Sequence, residues 1–477
     1  MPTQPIVFAN IQQSGWEQLA GAPGPAINVV IDGRGTVRRR PAIQAHPSFD
    51  SSVIDSDGLS LIRHTLGGEL YAVGGLTPNR SVYRVTTGSS VLDGTLAGSL
   101  RPQAAETEAL VVLAGGSTVS KVDLTQTPRI VEVLGGSPPA ASHVVANASR
   151  LLANDMLIDR SKVRYSDPAL GTTDYSGHET WQFGGSGSSG FFTAEARPDP
   201  VVALGETTNE VFVWGSTNVQ IYRSDGQTVF APGATREYGC SAPYSPVKVD
   251  QAYAWLDHMR RIVVSDGRSF EVISKEIQQV LDDMATVSDC FGYRVHVGPV
   301  DCLAWCFPSD GRTLAYQRDG GWSTWMSREG SNWARFPVNC HHHSPELDDN
   351  LVGTTDGRIG RLVMAASDDL GTTIDASVET GFLDRGTDNR KWCKAVYITL
   401  ERGQLSSEQT CQLRYADAPG QWSEPLEISL GVAGDTHPVI EFRSLGVYRR
   451  RAWKFTFSAA TDLALASVRE EFEVLEV

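Results

Sequence analysis

The chain has 477 residues, of which 41% are hydrophobic and 20% charged, and it contains 46 Gly and 24 Pro. This length predicts two or more domains, and the composition excludes general disorder. The formal net charge of −15 argues against a general DNA- or membrane-binding surface, because such a surface needs excess Lys and Arg, but it is compatible with a protein that surrounds DNA.

The N-terminus shows no targeting signal. Residues 1–15 contain no basic region followed by an apolar run, so we expect no signal peptide. No apolar stretch in the sequence reaches the length of about 18 residues that a membrane span needs, so we also expect no membrane-spanning segment. The seven Cys show no regular close pairing, which is typical of thiols in a reducing compartment.

The first 45 residues have little regular pattern. We expect residues 1–45 to form an arm that packs on the C-terminal domain or on a neighbouring subunit. This arm carries the basic cluster Arg38, Arg39 and Arg40. Its guanidinium groups could contact phosphates or the carboxylates of an adjoining subunit, or form an ordinary solvated cluster.

Short strands dominate residues 46–370. Runs of β-branched and aromatic residues, bounded by Gly, Ser, Asn or Asp, indicate strands joined by hairpins at residues such as 70–73, 109–113 and 210–214. One amphipathic helix is predicted near residues 274–283, with Ser274 as its cap.

A turn containing Asp-Gly recurs in this region. Counted at the Asp, the successive offsets are 41, 44 and 46 residues, which is the length of a four-stranded propeller blade. The four pairs are Asp225 and Gly226, Asp266 and Gly267, Asp310 and Gly311, and Asp356 and Gly357. Asp-Gly supplies the positive φ that a tight hairpin needs. The pattern predicts an all-β fold with a β-propeller of about seven blades over residues 46–370.

Two segments resemble catalytic or metal sites, and we predict neither function for them. Asp319 to Trp325 is an imperfect copy of the Asp-box of sialidase-type propellers, which is a structural turn. Cys340, His341, His342 and His343 are potential zinc ligands, but consecutive residues of an extended segment point to opposite faces. A solvated or subunit-facing loop is the preferred interpretation of these residues. We predict no catalytic, cofactor-binding or metal site and no enzymatic activity.

Longer strands follow residue 371. They predict an antiparallel β-sandwich or barrel over residues 371–477. This domain carries the second basic cluster, Arg449, Arg450 and Arg451, which we also expect to contact a subunit or partner.

Several motifs in residues 272–362 share their order with one protein family. They are Ile273-Ser-Lys-Glu-Ile277, Cys306-Phe-Pro308, Thr313-Leu-Ala-Tyr316, Gly321-Trp322 and the segment from Asn350 to Leu362. Together with Arg449 to Phe455, they resemble the tail hub, or packaged-DNA stabilisation, proteins of short-tailed bacteriophages.

This resemblance implies a structural virion protein. The expected partners are five further copies in a homo-hexamer, the portal adaptor ring, tail spikes or fibres, and genomic double-stranded DNA that passes without sequence-specific binding. The expected location is the virion tail, after assembly in the host cytoplasm. The alternative function is that of a carbohydrate-binding or glycoside-degrading propeller.

Overall fold

The protein consists almost entirely of β-strands. The computed structural model describes residues 3–5, 26–32, 36–47, 60–65, 68–75, 78–86, 89–181, 190–193, 199–224, 230–318, 320–344, 349–402, 410–430, 439–458 and 463–475. Helical structure within these ranges is limited to the 3-10 turns Ser176–Glu179 and Lys275–Ile277 and the α-helix Gln278–Asp283. None of the described helices has the length and apolar character needed to cross a membrane.

The described residues form seven antiparallel four-stranded units, named blades 1 to 7 in chain order; six are separate sheets, and blade 6 is part of a ten-stranded sheet. In sheet order, blade 1 contains Ser60–Arg63, Leu70–Gly74, Asn79–Thr86 and Ser89–Ala97, and blade 2 contains Gln103–Glu106, Leu110–Ala114, Ser120–Asp123 and Val131–Val133. Blade 3 contains Val144–Asn147, Arg150–Asn154, Lys162–Tyr165 and Gly190–Thr193, and blade 4 contains Ala203–Glu206, Glu210–Trp214, Val219–Arg223 and Ala231–Arg236. Blade 5 contains Val247–Val249, Ala252–Leu256, Ile262–Ser265 and Phe270–Val272, and blade 6 contains Phe291–Val297, Val300–Phe307, Arg312–Gln317 and Gly321–Glu329. Blade 7 contains Val338–Ser344, Asp349–Thr354, Ile359–Val363 and Ala42–Ala45.

The blades are arranged in a closed ring. Apolar clusters lie between consecutive blades, and the last of them joins blade 7 to blade 1 through residues such as Leu351, Ile359, Leu61 and Ala72. The first strand of blade 7 contacts the first strands of blades 6 and 1. The prediction of an all-β propeller with about seven blades is therefore confirmed.

The ring is closed by a strand from near the N-terminus. Ala42–Ala45 pairs antiparallel with Ile359–Val363 and is the outermost strand of blade 7. The predicted boundary between residues 45 and 46 falls at the end of this strand. The earlier strands Val29–Ile31 and Val37–Arg39 lie in a sheet with strands from the C-terminal part of the chain.

The C-terminal part of the chain forms two sheets that share one hydrophobic core. One sheet contains, in order, Val29–Ile31, Val37–Arg39, Leu463–Val474, Lys391–Arg402 and Val439–Arg443, with Thr3–Pro5 paired to Leu463–Val474 and Val447–Tyr448 paired to Lys391–Arg402. The other contains Ala26–Ile27, Ala376–Glu379, Ala452–Phe457, Thr410–Ala416 and Leu426–Ser429. The short pair Asp368–Asp369 and Thr372–Thr373 precedes them, and Asn332–Arg335 extends blade 6.

Blade 6 is joined directly to the C-terminal part. Ile27 pairs in parallel with Thr324 of the outermost strand of blade 6 and antiparallel with Ser377. One hydrogen-bonded sheet therefore runs from the propeller into the C-terminal part of the chain. Because backbone hydrogen bonds link the two regions, they are expected to move as one body.

The predicted helix is present as a 3-10 turn, Lys275–Ile277, followed by the α-helix Gln278–Asp283, and the Ser274 side chain does not cap it. Its hydroxyl accepts a hydrogen bond from the Ile262 backbone N–H at 2.9 Å and makes no capping bond. Ser274 thus fixes the segment after blade 5 to the third strand of that blade.

Candidate functional site

The centre of the propeller is lined by the first strand of each blade. Two neighbouring cavities of about 320 and 510 Å³ lie among the first strands of blades 1, 2, 5, 6 and 7. The cavities share Gly292, Tyr293, His341 and His342. Cavities of this volume accommodate small molecules.

Side chains from opposite sides of the ring meet where these first strands begin. Arg101, which precedes blade 2, donates a hydrogen bond to the Asn339 carbonyl at 2.6 Å and lies 3.9 Å from the centre of the Phe291 ring. His143, before blade 3, approaches the Pro243 carbonyl at 2.9 Å. The His143 ring also stacks on Tyr244, before blade 5, at 5.3 Å. These contacts cross the channel and close it at this end.

Burial keeps His143 neutral near pH 7. Removal from water lowers the pKa of His143 to about 4, and the hydrogen bond to Pro243 offsets only part of this effect. The Ser142 hydroxyl lies 2.9 Å from Nδ1, so a neutral ring can donate to Pro243 and accept from Ser142. No sequence motif marked this cluster, because its members are far apart in the chain.

The histidine run forms part of an inner strand, so the prediction of a loop is wrong. Val338–Ser344 is the first strand of blade 7 and pairs with Asp349–Thr354. The His341 ring stacks on Tyr293 at 5.7 Å. Burial lowers the pKa of His341 to about 3 and that of His342 to about 4. Within the described residues, no group of three or more His, Cys, Asp or Glu is placed to hold a metal ion.

Asn350 links blades 6 and 7 beside this strand. Its side-chain oxygen lies 3.0 Å from His341 Nε2 and accepts a hydrogen bond from the His296 backbone N–H at 3.2 Å. Its side-chain nitrogen donates to the His296 carbonyl. The polar groups of Asn350 and His341 are therefore used to hold neighbouring blades together.

The arginines of the first cluster are largely buried or paired with carboxylates of the same chain. Arg40 is fully buried and donates two hydrogen bonds to Asp369, at 2.5 and 3.0 Å, while its guanidinium lies 4.2 Å from the centre of the Phe336 ring. Arg39 is also buried. Arg38 is 2.8 Å from Asp32. Arg40 therefore joins the propeller to the C-terminal part and is not exposed to a partner.

The second arginine cluster is divided between the interior and the surface. Arg451 is buried, makes two hydrogen bonds to Asp417 at 2.7 and 2.9 Å, and lies over the Tyr415 ring. Arg449 and Arg450 are exposed and contact Asp388. Only these two members of the cluster remain accessible for the predicted contact.

The Asp-Gly turns occupy two different places in the blades. Asp266 and Gly267 connect the third and fourth strands of blade 5. Asp310 with Gly311, and Asp356 with Gly357, connect the second and third strands of blades 6 and 7. Asp225 and Gly226 lie outside the described residues, as does Asp319. The three described glycines have φ of 69 to 87°, which agrees with the need for positive φ.

Four of the motifs singled out by resemblance, between Ile273 and Trp322, lie at the contact between blades 5 and 6. Trp322 donates a hydrogen bond from Nε1 to the Ile273 carbonyl at 2.9 Å, and its ring packs against Trp305 and Tyr316. Trp305 donates to the Ser245 carbonyl at 3.0 Å. These residue types are needed to seal two blades against each other.

Comparison with known proteins gives one family match. Residues 187–333, from the outer strand of blade 3 through blade 6, match the family model for phage stabilisation proteins, described as Bacteriophage P22 Gp10, beta-propeller. No curated protein sequence matches the chain.

Several solved structures are similar at low identity. The N-terminal domain of Nup159 is 9% identical, with a TM-score of 0.40 over 71% of this chain and 99% of its own. Virginiamycin B lyase from Staphylococcus aureus is 9% identical, with a TM-score of 0.43 over 67% of this chain and 98% of its own. An auxiliary nutrient binding protein from Bacteroides thetaiotaomicron is 10% identical, with a TM-score of 0.36 over 65% of this chain and 69% of its own.

The family match covers the same blades whose contacts are made by the motifs described above, and it agrees with the all-β propeller. Residues 187–333 are therefore similar to the tail stabilisation family of short-tailed bacteriophages, which agrees with the resemblance seen in the sequence.

Proposed function

We propose that this protein is the tail nozzle, or hub, of a short-tailed phage. Six copies form a ring below the portal and its adaptor, continue the DNA channel, retain the packaged DNA and provide attachment sites for tail spikes or fibres. The family match over residues 187–333 carries this proposal. In this role the protein is assembled into the virion tail in the host cytoplasm.

The closed channel of the propeller supports a path for DNA outside each propeller. Arg101, Phe291, His143 and Tyr244 fill one end of the channel, so DNA would pass along the axis of the ring, between copies. Six chains carry a formal charge of about −90, six times −15. Acidic side chains facing that axis would repel the phosphates and let the duplex slide during ejection.

The contacts of the channel residues support a structural rather than a catalytic role. His143, His341 and Asn350 are engaged in contacts between chain segments. The seven cysteines are all buried and free, and burial raises the pKa of thiols such as Cys340, to about 12. Protonated buried thiols are poor nucleophiles.

The proposal is tested by genetic removal and by imaging. Phage carrying a nonsense codon in this gene should produce heads that package DNA and then lose it, and the protein supplied in trans should restore infectious particles. Images of the protein with the portal–adaptor complex should show a six-fold ring below the adaptor. Infectious, DNA-retaining particles that lack the protein would contradict the proposal.

A further inference from the structure

An exposed apolar patch lies at one end of the C-terminal sheet that contains Lys391–Arg402. It is centred on Trp392, which is 40% exposed, and includes Val447, its direct partner on the neighbouring strand, at 48%. On the strand at the other side of Lys391–Arg402, the residue directly opposite Trp392 is the exposed Glu473. We call Trp392 and Val447, together with Arg449 and Arg450, the Trp392 patch. Tryptophan and arginine are the residues most enriched among those that dominate binding at protein interfaces.

The residues beneath the patch hold it in one conformation. Lys391, next to Trp392, is fully buried and donates hydrogen bonds to the Thr387 and Asn389 carbonyls at 2.6 and 2.8 Å. Tyr448, next to Val447, donates to Glu470 at 2.7 Å. A surface fixed in this way loses little conformational entropy on binding, which favours affinity.

Glu470 is itself held by a buried cation. Arg385 donates to it at 2.7 and 3.0 Å, and both side chains are almost inaccessible to solvent. The exposed residues of the patch thus alternate along their strands with buried, hydrogen-bonded residues. These buried hydrogen bonds hold the exposed residues in fixed positions, unlike those of a loosely packed chain end.

The charges around the patch are mainly positive, although the chain is acidic. Arg449 and Arg450 are exposed, and Lys394 lies 5.1 Å from the Trp392 ring. Asp388 and Glu473 balance part of this charge, at 3.5 Å from Arg450 and 2.6 Å from Lys394. The whole chain has a formal charge of −15, so another copy offers an excess of carboxylates to the exposed Arg449 and Arg450.

We propose that the Trp392 patch is the docking surface for a second copy of this chain. The inference rests on the proposed ring and identifies one face of its subunit contact. Trp392 and Val447 would be covered by apolar residues of the next copy, while Arg449 and Arg450 meet its carboxylates. DNA is the less suitable occupant, because the centre of the patch is apolar and phosphates would gain nothing from covering it.

The test measures self-association of the full-length protein. Sedimentation velocity over a range of concentrations is compared for the unmodified protein, Trp392→Ser, and Arg449→Glu combined with Arg450→Glu. Trp333→Ser is the matched control, because Trp333 is 39% exposed but lies on the extension of blade 6. Thermal unfolding of each variant verifies that the fold is retained.

Trp392→Ser and the double charge reversal should each weaken self-association by roughly 30-fold or more, while Trp333→Ser assembles normally. Normal assembly of both patch variants would overturn this inference without affecting the proposed hub function, which complementation of the phage decides independently. An unmodified protein that stays monomeric, also with the portal–adaptor complex, would overturn the inference. Loss of duplex DNA binding in the charge-reversed variant, with assembly unchanged, would assign the patch to DNA instead.

Discussion

The propeller and the C-terminal part of the chain are stabilised in different ways. Consecutive blades are joined by clusters of aliphatic and aromatic residues, with neutral polar links such as that of Asn350. Buried ion pairs lie within single blades, such as Arg164 with Asp155 in blade 3, and in the C-terminal part and its junction with blade 6, where they include Arg40 with Asp369 and Arg385 with Glu470. The contacts between blades therefore depend chiefly on packing, whereas the junction depends on the pairing of buried charges.

The largest effect is expected at the junction. Asp369→Ala removes the carboxylate that faces Arg40 and leaves a buried guanidinium without its counter-charge, which should cost about 3–5 kcal/mol of unfolding free energy. Urea unfolding followed by tryptophan fluorescence measures this loss. A variant as stable as the unmodified protein would show that Arg40 finds other partners, and the contrast between the two regions would fail.

Packing between blades is tested by Leu151→Ala. Leu151 is fully buried in the cluster between blades 2 and 3. Removal of its side chain should lower the unfolding free energy by about 2–5 kcal/mol, through lost burial and the cavity left behind. The same urea experiment, repeated at high salt, should give an unchanged difference, because no charge is involved.

Mild acid should weaken the propeller through its buried histidines. The pKa of His143 is about 4 in the folded protein and about 6.5 in an unfolded chain, so the unfolded state takes up the proton first as the pH falls. The stabilisation that neutral His143 contributes to the folded state is complete above about pH 6.5 and is lost progressively toward pH 4.

His143→Gln should reduce the slope of unfolding free energy against pH between pH 6.5 and 5 by up to about 1.4 kcal/mol per pH unit, the value for one proton. Urea unfolding at several pH values measures the slope. Equal slopes for the variant and the unmodified protein would mean that His143 takes up its proton at the same pH in the folded and unfolded states.

The smallest effect is expected for an exposed ion pair. Arg358 lies 2.7 Å from Asp356, and both side chains are nearly half exposed. Arg358→Ala should change the unfolding free energy by no more than about 1 kcal/mol, because water already solvates both charges. A loss as large as that of Asp369→Ala would remove the distinction between exposed and buried pairs.

The repeated features of the fold could be predicted from the sequence. Short apolar strands and a period of 41 to 46 residues between Asp-Gly turns are local properties of the chain, and they led to a seven-bladed propeller. The turns themselves are not equivalent, because a tight hairpin has the same sequence signature between any two strands of a blade. The spacing therefore indicated the blade repeat, although the turns at Asp266 and Asp310 connect different pairs of strands within their blades.

The contacts across the ring could not be predicted in the same way. Arg40 and Arg450 belong to similar basic clusters, yet one is buried against Asp369 and the other exposed, and this depends on residues distant in sequence. The sequence favours a solvated or subunit-facing loop for the histidine run, because three consecutive residues of an extended segment cannot easily converge on one metal ion. The centre of a propeller, however, accepts half-buried polar residues in its inner strands.

The propeller ring can close only when Ala42–Ala45 pairs with Ile359–Val363. Ile43 and Asp369, which meet at this seam, are 326 positions apart in the chain, so the N-terminal strand is synthesised long before its partner exists. Until then it is an uncovered edge that could join the sheet of another chain. A fragment that ends before blade 7 would remain an open arc, and such fragments should aggregate rather than form smaller rings.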